Sequence, residues 1–415
     1  MPSTILSDNG VTSGTSGIKT TGSNDGTLAL QTTTAGGAAT TALSISTSQV
    51  VTLTNALAEA SGGTGTNTGY YGFKNRIING AMVIDQRNAG ASITPVNDQY
   101  SLDRWGFPLS QASKLTVQQN AGAVTPPVGF SNYLGVTSSS AYSITSTDYF
   151  VINQNIEGFN TSDFAFGTAN AKTITLSFQV YSSLTGTFGG SLRNSAGSRS
   201  YPFTYTISSA NTWTSISVTI AGDTSGTWVG ATNGIGLRVA FSLGVGTTYS
   251  GTAGAWAGTN YLSATGATSV VGTNGATFYI TGVQLEKGST ATSFDYRPFG
   301  TELALCQRYT TIFNTGATTY PRFGVGQCRS VTLADILITF PVFMRAAPSY
   351  TTTGTIVLSS ATGSLITVTA YPDNLITNIN MFLQAQVSSG LIAGNATLLM
   401  ANNDTTARLT LSAEL

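Results

Sequence analysis

The sequence has 415 residues, of which only 8% are charged, and its 17 basic and 17 acidic side chains cancel. Such a balance gives no net field that would attract nucleic acid or an anionic membrane, so neither is an expected partner. Histidine is absent, which excludes a Ser-His-Asp triad and a histidine-based zinc site. Abundant threonine, serine and glycine disfavour helices, because hydroxyl side chains compete for helical hydrogen bonds and β-branched residues prefer strands. The composition predicts an all-β chain, and the length allows two or three domains.

The first predicted segment, residues 1–69, has no aromatic residue and contains three short alternating pieces, GTLALQT, TALSIST and VVTLTN. Alternation with a period of two is typical of strands with one apolar face. So little apolar area cannot stabilise a monomeric domain against chain entropy. The segment is therefore either disordered or wrapped with identical copies, and the regular alternation favours an extended trimeric β shaft. It ends in a glycine-rich hinge at 61–65.

The second predicted segment, residues 70–298, is richer in aromatic and charged residues. Clean alternation predicts strands in TITLSFQV, in the stretch from Ile235 to Phe241 and in ATFYITGVQ. In TWTSISVTI the first apolar spacing, from Trp213 to Ile216, is three residues and predicts a bulge. Such strands, separated by glycine, serine and asparagine turns, predict a jelly-roll β-sandwich with a core of its own.

The third predicted segment, residues 299–415, opens with the best helix candidate of the chain, TELALCQRYT, which Thr301 is expected to cap. Strand patterns follow, so we expect a smaller C-terminal β-sandwich joined by this short helix. Pro341, within the stretch ILITFPVFM, predicts an edge or a bulge in the first of these strands. Cys306 and Cys328 are expected to be free or buried thiols, although a disulfide between them is possible.

The first ten residues, MPSTILSDNG, lack a basic region followed by an apolar run, so no secretory signal is expected. No stretch approaches the roughly 20 apolar residues that a bilayer span requires, so membrane insertion is not expected either. These features predict a protein that is made in a cytoplasm.

Several phrases at the segment boundaries resemble a jelly-roll module of phage tail fibres and tail-associated proteins, a module that is similar to galactose-binding and carbohydrate-binding jelly rolls. Its opening is matched by KNRIINGAM (74–82), DQR (85–87) and LDRW (102–105), and its ending by ITGVQLEKG (280–288) and FDYRP (294–298). The stretch LALCQRY (303–309) resembles the continuation of the chain beyond this module in phage proteins. The stretches FPVFMRAAP (340–348) and ARLTLSAEL (407–415) resemble fibre tips. The resemblance is clearest over residues 74–310.

This resemblance implies a homotrimeric bacteriophage tail fibre that resides in the virion and is made in the host cytoplasm. Residues 1–69 would join other tail or baseplate proteins, and the remaining domains would bind a bacterial surface glycan or protein. One alternative is a passive virion component, such as a collar, baseplate or capsid appendage. A less favoured alternative is a polysaccharide-degrading tailspike.

Four aromatic residues in loops rich in glycine, threonine and serine are the glycan-binding candidates: Trp228, Tyr249, Trp256 and Tyr261. Aromatic faces pack against sugar C–H groups, and neighbouring amides and hydroxyls bond sugar hydroxyls. The alternative is that these rings cover the ends of the sandwich or pack on a neighbouring subunit. For Asp103, Arg104 and Trp105 we favour a structural role over a sugar platform. A stabilising ion pair is likewise favoured for Glu286, Lys287 and Arg297.

The acidic residues Asp148, Glu157, Asp163 and Asp223 are scattered and lack the spacing of a calcium loop. We therefore expect no metal site and no cofactor. Glycoside hydrolysis would need two carboxylates about 5–9.5 Å apart in a groove. Such a pair could come together from distant positions or across subunits, but the sequence lacks the long run of stacked-coil repeats typical of a β-helical spike. No catalytic residue is therefore assigned, and the chain is not expected to be an enzyme.

Overall fold

The structure is a computed structural model that describes residues 19–22, 28–32, 40–48, 51–53, 73–314, 318–359 and 363–415. The chain divides into two units, residues 1–72 and residues 73–415. The described residues lie almost entirely in strands and in the loops between them, and they contain one α-helix. The expected all-β fold is thus confirmed.

The described part of the first unit has the strands β1 Lys19–Gly22, β2 Leu28–Thr32, β3 Thr40–Ile45 and β4 Val51–Leu53. They form one antiparallel sheet in the order β1-β2-β3-β4. Leu43 is the Cα partner of both Leu30 and Leu53, so the register aligns the alternating apolar positions of the three predicted strands. Those strands are confirmed. The predicted hinge at 61–65 lies outside the described residues, and the trimeric wrapping of the segment stays a prediction.

The second unit begins with the predicted β-sandwich, residues 73–298. Its strands are β5 Gln99–Tyr100, β6 Gly106–Phe107, β7 Leu115–Gln119, β8 Leu134–Ser138, β9 Tyr149–Glu157, β10 Ile174–Ser182, β11 Gly186–Arg193, β12 Ser200–Ile207, β13 Thr214–Ile220, β14 Ile235–Val245, β15 Ser250–Gly251, β16 Ser263–Ala264 and β17 Thr277–Lys287. One sheet has the order β13-β10-β17-β8-β7 and the other the order β12-β11-β14-β9-β6-β5. The short strands β15 and β16 pair in parallel within the long loop after β14.

The core of the sandwich is built from the alternate residues that the sequence pattern singled out. Leu176 and Val180 in β10, and Leu237, Val239 and Phe241 in β14, are fully buried between the sheets. Because successive side chains of a strand point to opposite faces, the residues between them face outwards. This outer set, not the core, supplies the candidate site described below.

The prediction of a bulge between Trp213 and Ile216 was wrong. The strand begins at Thr214, so Trp213 precedes it. Its ring packs against Tyr133 and Tyr181, at centroid distances of 5.5 Å each, in an apolar cluster outside the main core. The three-residue spacing to Ile216 therefore marks the beginning of the strand and not an extra residue within it.

The helix α1, Phe299–Gln307, follows the sandwich directly. The prediction that Thr301 caps this helix was wrong. Pro298 occupies the capping position in an extended conformation, and its carbonyl oxygen accepts the N–H of Thr301 at 2.9 Å. The helix therefore begins as soon as the chain leaves Pro298, which places Thr301 in its first turn.

The C-terminal region contains the strands β18 Thr310–Phe313, β19 Arg322–Cys328, β20 Leu333–Thr339, β21 Ser349–Thr353, β22 Ile356–Ser359, β23 Leu365–Ile376, β24 Asn380–Val387, β25 Ala396–Ala401 and β26 Arg408–Ser412. Six of them close into a barrel in the order β19-β20-β24-β23-β22-β25, and β18-β26-β21 form a separate sheet. This region is a barrel and not the expected smaller β-sandwich, because β25 pairs with both β19 and β22 and so closes the sheet.

Two further expectations concern single residues of this region. The strand β20 ends at Thr339, so Pro341 lies beyond the strand and marks neither an edge nor a bulge within it. A proline after the last residue removes no ladder hydrogen bond. Cys306 and Cys328 are both buried and free, as predicted.

The last residues of the chain bind the C-terminal region to the sandwich. Arg104, fully buried, pairs with Glu414, and its guanidinium lies 3.4 Å from the ring centroid of Tyr309. The carboxylate of Glu414 also accepts from Arg87 at 2.9 Å. The main-chain oxygen of Leu415 accepts a 2.7 Å hydrogen bond from the side chain of Asn155 in β9. Within the described residues, no helix is long and apolar enough to span a membrane.

Candidate functional site

The outer face of the six-stranded sheet carries a polar surface across three neighbouring strands. Arg193 in β11, Arg238 in β14 and Asn155 in β9 are Cα partners in one row across the sheet. In the next row, Asn153 of β9 is the partner of Gly106 in β6. Side chains alternate along a strand, so these residues point away from the core. Together they form the floor of a groove, which we call the sheet groove.

Two walls enclose the sheet groove, whose cavity volume is about 400 Å³. The loop between β14 and β17 supplies Tyr249, Asn260 and Leu262 on one side. The β5–β6 edge supplies Asp98 and Tyr100 on the other. This volume falls in the range of roughly 300–1,000 Å³ that small-molecule sites occupy in proteins.

The tyrosine rings of the groove are held by specific contacts. Tyr249 packs edge-on against Tyr149, with centroids 5.5 Å apart and an interplanar angle of 87°. The ring of Tyr100 lies against Gly106, where an added Cβ would already be 3.4 Å from the ring. The hydroxyl of Tyr100 donates a 3.0 Å hydrogen bond to the main-chain oxygen of Leu415. The groove therefore presents positioned aromatic surface beside amide groups.

Of the two arginines of the floor, Arg193 is buried and Arg238 is half-buried. Arg193 is 5% exposed, and its Nη1 donates a 2.9 Å hydrogen bond to the Oδ1 of Asn260. Burial, and then the neighbouring charge of Arg238, lower the pKa of Arg193 to about 9. Burial also lowers the pKa of Arg238, against the opposing effects of Tyr100 and Asp98. At neutral pH both groups are charged.

Of the four predicted glycan-binding residues, Tyr249 lines the sheet groove. Trp228 and Trp256 lie together elsewhere, edge to face with centroids 5.4 Å apart, and both pack against Phe166. The indole N–H groups of Trp228 and Trp256 donate to main-chain oxygens, that of Trp256 to Ala221 at 2.7 Å. This arrangement matches the alternative in which the two rings cover an end of the sandwich.

Tyr261 is half-buried against the loop that forms one wall of the groove. Its ring fills the space beside Gly251, where an added Cβ would lie 2.3 Å from the ring. Its main-chain oxygen accepts a 2.7 Å hydrogen bond from Ser191 in β11. Tyr261 thus holds the loop on the sheet, while its neighbours Asn260 and Leu262 line the groove. A role for any of the four aromatics in glycan binding stays a prediction.

Sequence reasoning missed the floor residues Arg193, Arg238, Asn153 and Asn155. The strand from Ile235 to Phe241 was predicted from its alternating apolar residues, and the polar residues between them were not considered as binding candidates. A signal was present, because a chain with only 8% charged residues places arginines at outward positions of two strands.

The residues in the stretches that resemble the phage jelly-roll module make structural contacts. Trp105 is fully buried, and its indole N–H donates to the main-chain oxygen of Asn79 at 3.0 Å. The structural role expected for Arg104 and Trp105 is confirmed. Lys287 pairs with Asp163 at 3.0 Å and Arg297 with Glu302 at 3.2 Å. Ion pairs are therefore present, although Glu286 instead accepts hydrogen bonds from Thr292.

The scattered acidic residues are also engaged within the fold. Asp148 accepts hydrogen bonds from Ser110, Tyr142 and Thr145. The other three carboxylates form ion pairs with basic side chains: Glu157 with Arg308, Asp163 with Arg76 and Lys287, and Asp223 with Arg199. Asp98 is the one acidic side chain among the described residues that line the sheet groove. Nowhere in the described ranges do three or more potential metal ligands of the His, Cys, Asp and Glu types cluster.

Neither a protein-family model nor a curated protein matches this chain. Similar solved structures include a tailspike protein 4 enzymatically active domain from Bacteriophage CBA120, with 12% identity and a TM-score of 0.30. The match covers 52% of this chain, which spans 22% of that structure. A family 11 carbohydrate-binding module from Clostridium thermocellum, in complex with a mixed-linked tetrasaccharide, has 12% identity, a TM-score of 0.25 and coverages of 49% and 97%.

A third similar structure is TmCBM61 in complex with beta-1,4-galactotriose, with 9% identity and a TM-score of 0.26. The match covers 52% of this chain and 99% of that one. Since every one of these TM-scores is below 0.5, the likenesses assign no function to this chain.

Proposed function

We propose that this chain is a subunit of a bacteriophage tail fibre that attaches to a bacterial cell by binding a surface glycan in the sheet groove. The supporting observation is that Tyr100 and Tyr249 line one groove together with the asparagine and arginine side chains of its floor. Sugar C–H faces pack on aromatic rings, and amides and guanidiniums bond sugar hydroxyls. The groove thus combines both kinds of contact that a glycan needs.

In this proposal the protein binds and does not degrade its glycan. Three copies of the chain form a homotrimer, which is located in the virion after synthesis in the host cytoplasm. Residues 1–69 join it to other tail or baseplate proteins. Each groove binds weakly, and several grooves on one particle raise the effective affinity without additional contacts. A weak single site also allows the particle to release and bind again.

A binding experiment on the full chain tests this function. Immobilised bacterial surface polysaccharides are probed with wild-type protein, with Tyr249→Ala and with Tyr320→Ala. Tyr320 is 44% exposed and belongs to the C-terminal region, so it is a matched control outside the groove. We expect saturable binding by the wild type, a loss of about tenfold or more in Tyr249→Ala, and no change in the control.

The negative outcomes of this experiment distinguish the alternative functions from one another. If the wild type binds none of the polysaccharides, the proposal fails and a passive virion component is favoured. Binding that Tyr249→Ala leaves unchanged would place the site elsewhere and contradict the groove. Release of new reducing ends from a bound polysaccharide would show that the chain is a degrading enzyme.

A further inference from the structure

The two arginines on the floor of the sheet groove have a relationship that binding of a neutral sugar does not require. Arg193 and Arg238 are direct Cα partners on the neighbouring strands β11 and β14. Like charges directly opposite each other on paired strands destabilise a sheet. The free protein therefore holds an unfavourable pair of positive charges at the centre of its groove.

Among the described residues, neither arginine of this pair forms an ion pair. The ion pairs of the described structure involve other side chains, so no carboxylate lies within 4 Å of either guanidinium. Asp98 is at the exposed rim, and Glu414 is held by Arg87 and Arg104. The charge of Asp98 acts on Arg238 only from beyond ion-pair distance. The main-chain oxygen of Leu415, which also lines the groove, is bonded to Tyr100 and Asn155.

Three buried polar atoms of the floor are also without hydrogen-bond partners among the described residues: the Nε of Arg193, the Nε of Arg238 and the Oδ1 of Asn153. A buried polar group without a partner is unfavourable, and a buried charge without one is more so. Arg193 is 5% exposed, so water cannot fully solvate it. A ligand that supplies acceptors and negative charge at this point would satisfy the arginines.

We infer that the sheet groove takes a glycan that carries an anionic substituent, a carboxylate or a phosphate ester, and that this substituent binds against Arg193 and Arg238. The inference rests on the proposed function, because it specifies the glycan class for the same groove. Guanidinium groups present N–H donors in a planar fork that matches the oxygens of both substituents. The tyrosine walls then contact the sugar ring that carries the anion.

The test uses the full chain and a panel of bacterial surface polysaccharides at about 0.15 M salt, where exposed charges are largely screened. Each acidic polysaccharide is paired with a neutral form of itself, made by reducing its carboxylates to alcohols or by removing its phosphates. We expect the acidic form to bind at least about tenfold more tightly than its neutral form. Which of the two treatments abolishes binding identifies the anion as carboxylate or phosphate.

Arg238→Gln and Arg193→Gln are measured beside Arg329→Gln, whose side chain is 58% exposed on the C-terminal barrel. The two groove variants are expected to lose the preference for the acidic form, whereas Arg329→Gln keeps it. Thermal melting checks folding. Arg238→Gln is not expected to melt lower, because it removes one of two opposed positive charges. Arg193→Gln also loses the hydrogen bond to Asn260, so its binding is measured well below its own melting temperature.

The failure of this inference differs from the failure of the proposed function. If acidic and neutral forms bind equally and Tyr249→Ala still weakens both, the groove binds glycans but the anionic inference is wrong. If Arg238→Gln and Arg193→Gln bind the acidic form as tightly as the wild type, the inference is also wrong. If no member of the panel binds at all, the proposed function itself fails, and the inference with it.

Discussion

Arg308 and Glu157 form a two-point ion pair between the C-terminal region and the sandwich. The Nε and Nη2 of Arg308 donate to the two carboxylate oxygens of Glu157 at 2.8 and 2.9 Å. Glu157 is the last residue of β9, the strand that also contributes Asn153 and Asn155 to the sheet groove. The pair therefore fixes the beginning of the C-terminal region at the end of a groove strand.

Removing one member of this pair should destabilise the protein. Arg308→Met leaves the carboxylate of Glu157, which is 1% exposed, buried and uncompensated. We expect a loss of about 3 kcal/mol in the free energy of unfolding, in the range measured for broken buried pairs. Urea unfolding followed by tryptophan fluorescence measures it.

The double variant Arg308→Met with Glu157→Gln is the control for this mechanism. It removes both charges, so its loss should be clearly smaller than that of Arg308→Met alone. An equal loss in both variants would mean that packing of the arginine stem, and not the stranded charge, stabilises this contact.

Asp148 should make the sandwich sensitive to acid. Burial alone would raise the pKa of this carboxyl, but hydrogen bonds from Thr145, Ser110 and Tyr142 outweigh it and lower the pKa to about 2. A carboxyl with a lowered pKa in the folded state contributes stability above its ordinary value of 3.8. That contribution is lost as the pH falls from 3.8 towards 2.

Asp148→Asn tests this contribution. At neutral pH the variant should be less stable by about 1.5–3 kcal/mol, the usual range for hydrogen bonds to a charged group. Its melting temperature should then fall less than that of the wild type when the pH is lowered towards 2. Asp373→Asn, at an exposed position of β23, is the matched control and should follow the wild type. Parallel acid curves for Asp148→Asn and wild type would refute the assignment.

The strands were predictable where burial on one face imposes a period of two. Leu176 and Val180 in β10 show this, because each must reach the core while its neighbours face outwards. Closure of the barrel was not predictable. It depends on β25 pairing with β19 and β22, and strand pairing between segments distant in sequence is decided by tertiary packing.

The site was only partly predictable for a related reason. Loop composition selected Tyr249, which lines the groove, but the same composition selected Trp228 and Trp256, which pack on Phe166. The sequence of a loop predicts that an aromatic ring lies outside the regular strands. It does not predict which surface the ring packs against. Arg193 and Arg238 are brought together by the pairing of β11 with β14, which no local pattern encodes.

Trp256 is expected to act on stability and not on binding. Its ring contacts Phe166, Tyr201 and Trp228 at centroid distances of 5.6, 5.3 and 5.4 Å. Trp256→Ala should lower the free energy of unfolding by about 2–3 kcal/mol, somewhat less than for a fully buried tryptophan. Measured well below its melting temperature, the variant should bind polysaccharide as the wild type does. A loss of polysaccharide binding without a loss of stability would contradict this prediction and indicate that Trp256 binds the ligand.

The final prediction concerns the assembly state, and it is based on the small apolar content of residues 1–69. Light scattering coupled to size exclusion should give the full chain a mass near three times 42.8 kDa. Removing residues 1–72 leaves the second unit, residues 73–415, which should elute as a monomer if the first unit holds the trimer together. A full-length chain that is monomeric would contradict the trimeric fibre.

A shortened chain that stays trimeric would contradict the placement of the trimer contacts in the first unit. The barrel offers a surface for that outcome, since Val325, Leu337, Phe382 and Leu375 are partners in one row across its outer face. Val325, Leu337 and Leu375 are 61%, 49% and 69% exposed. Contiguous exposed apolar side chains often mark an interface. Leu337→Asp in the shortened chain should then yield monomers, whereas in a chain held together by residues 1–72 it should leave the full-length mass unchanged.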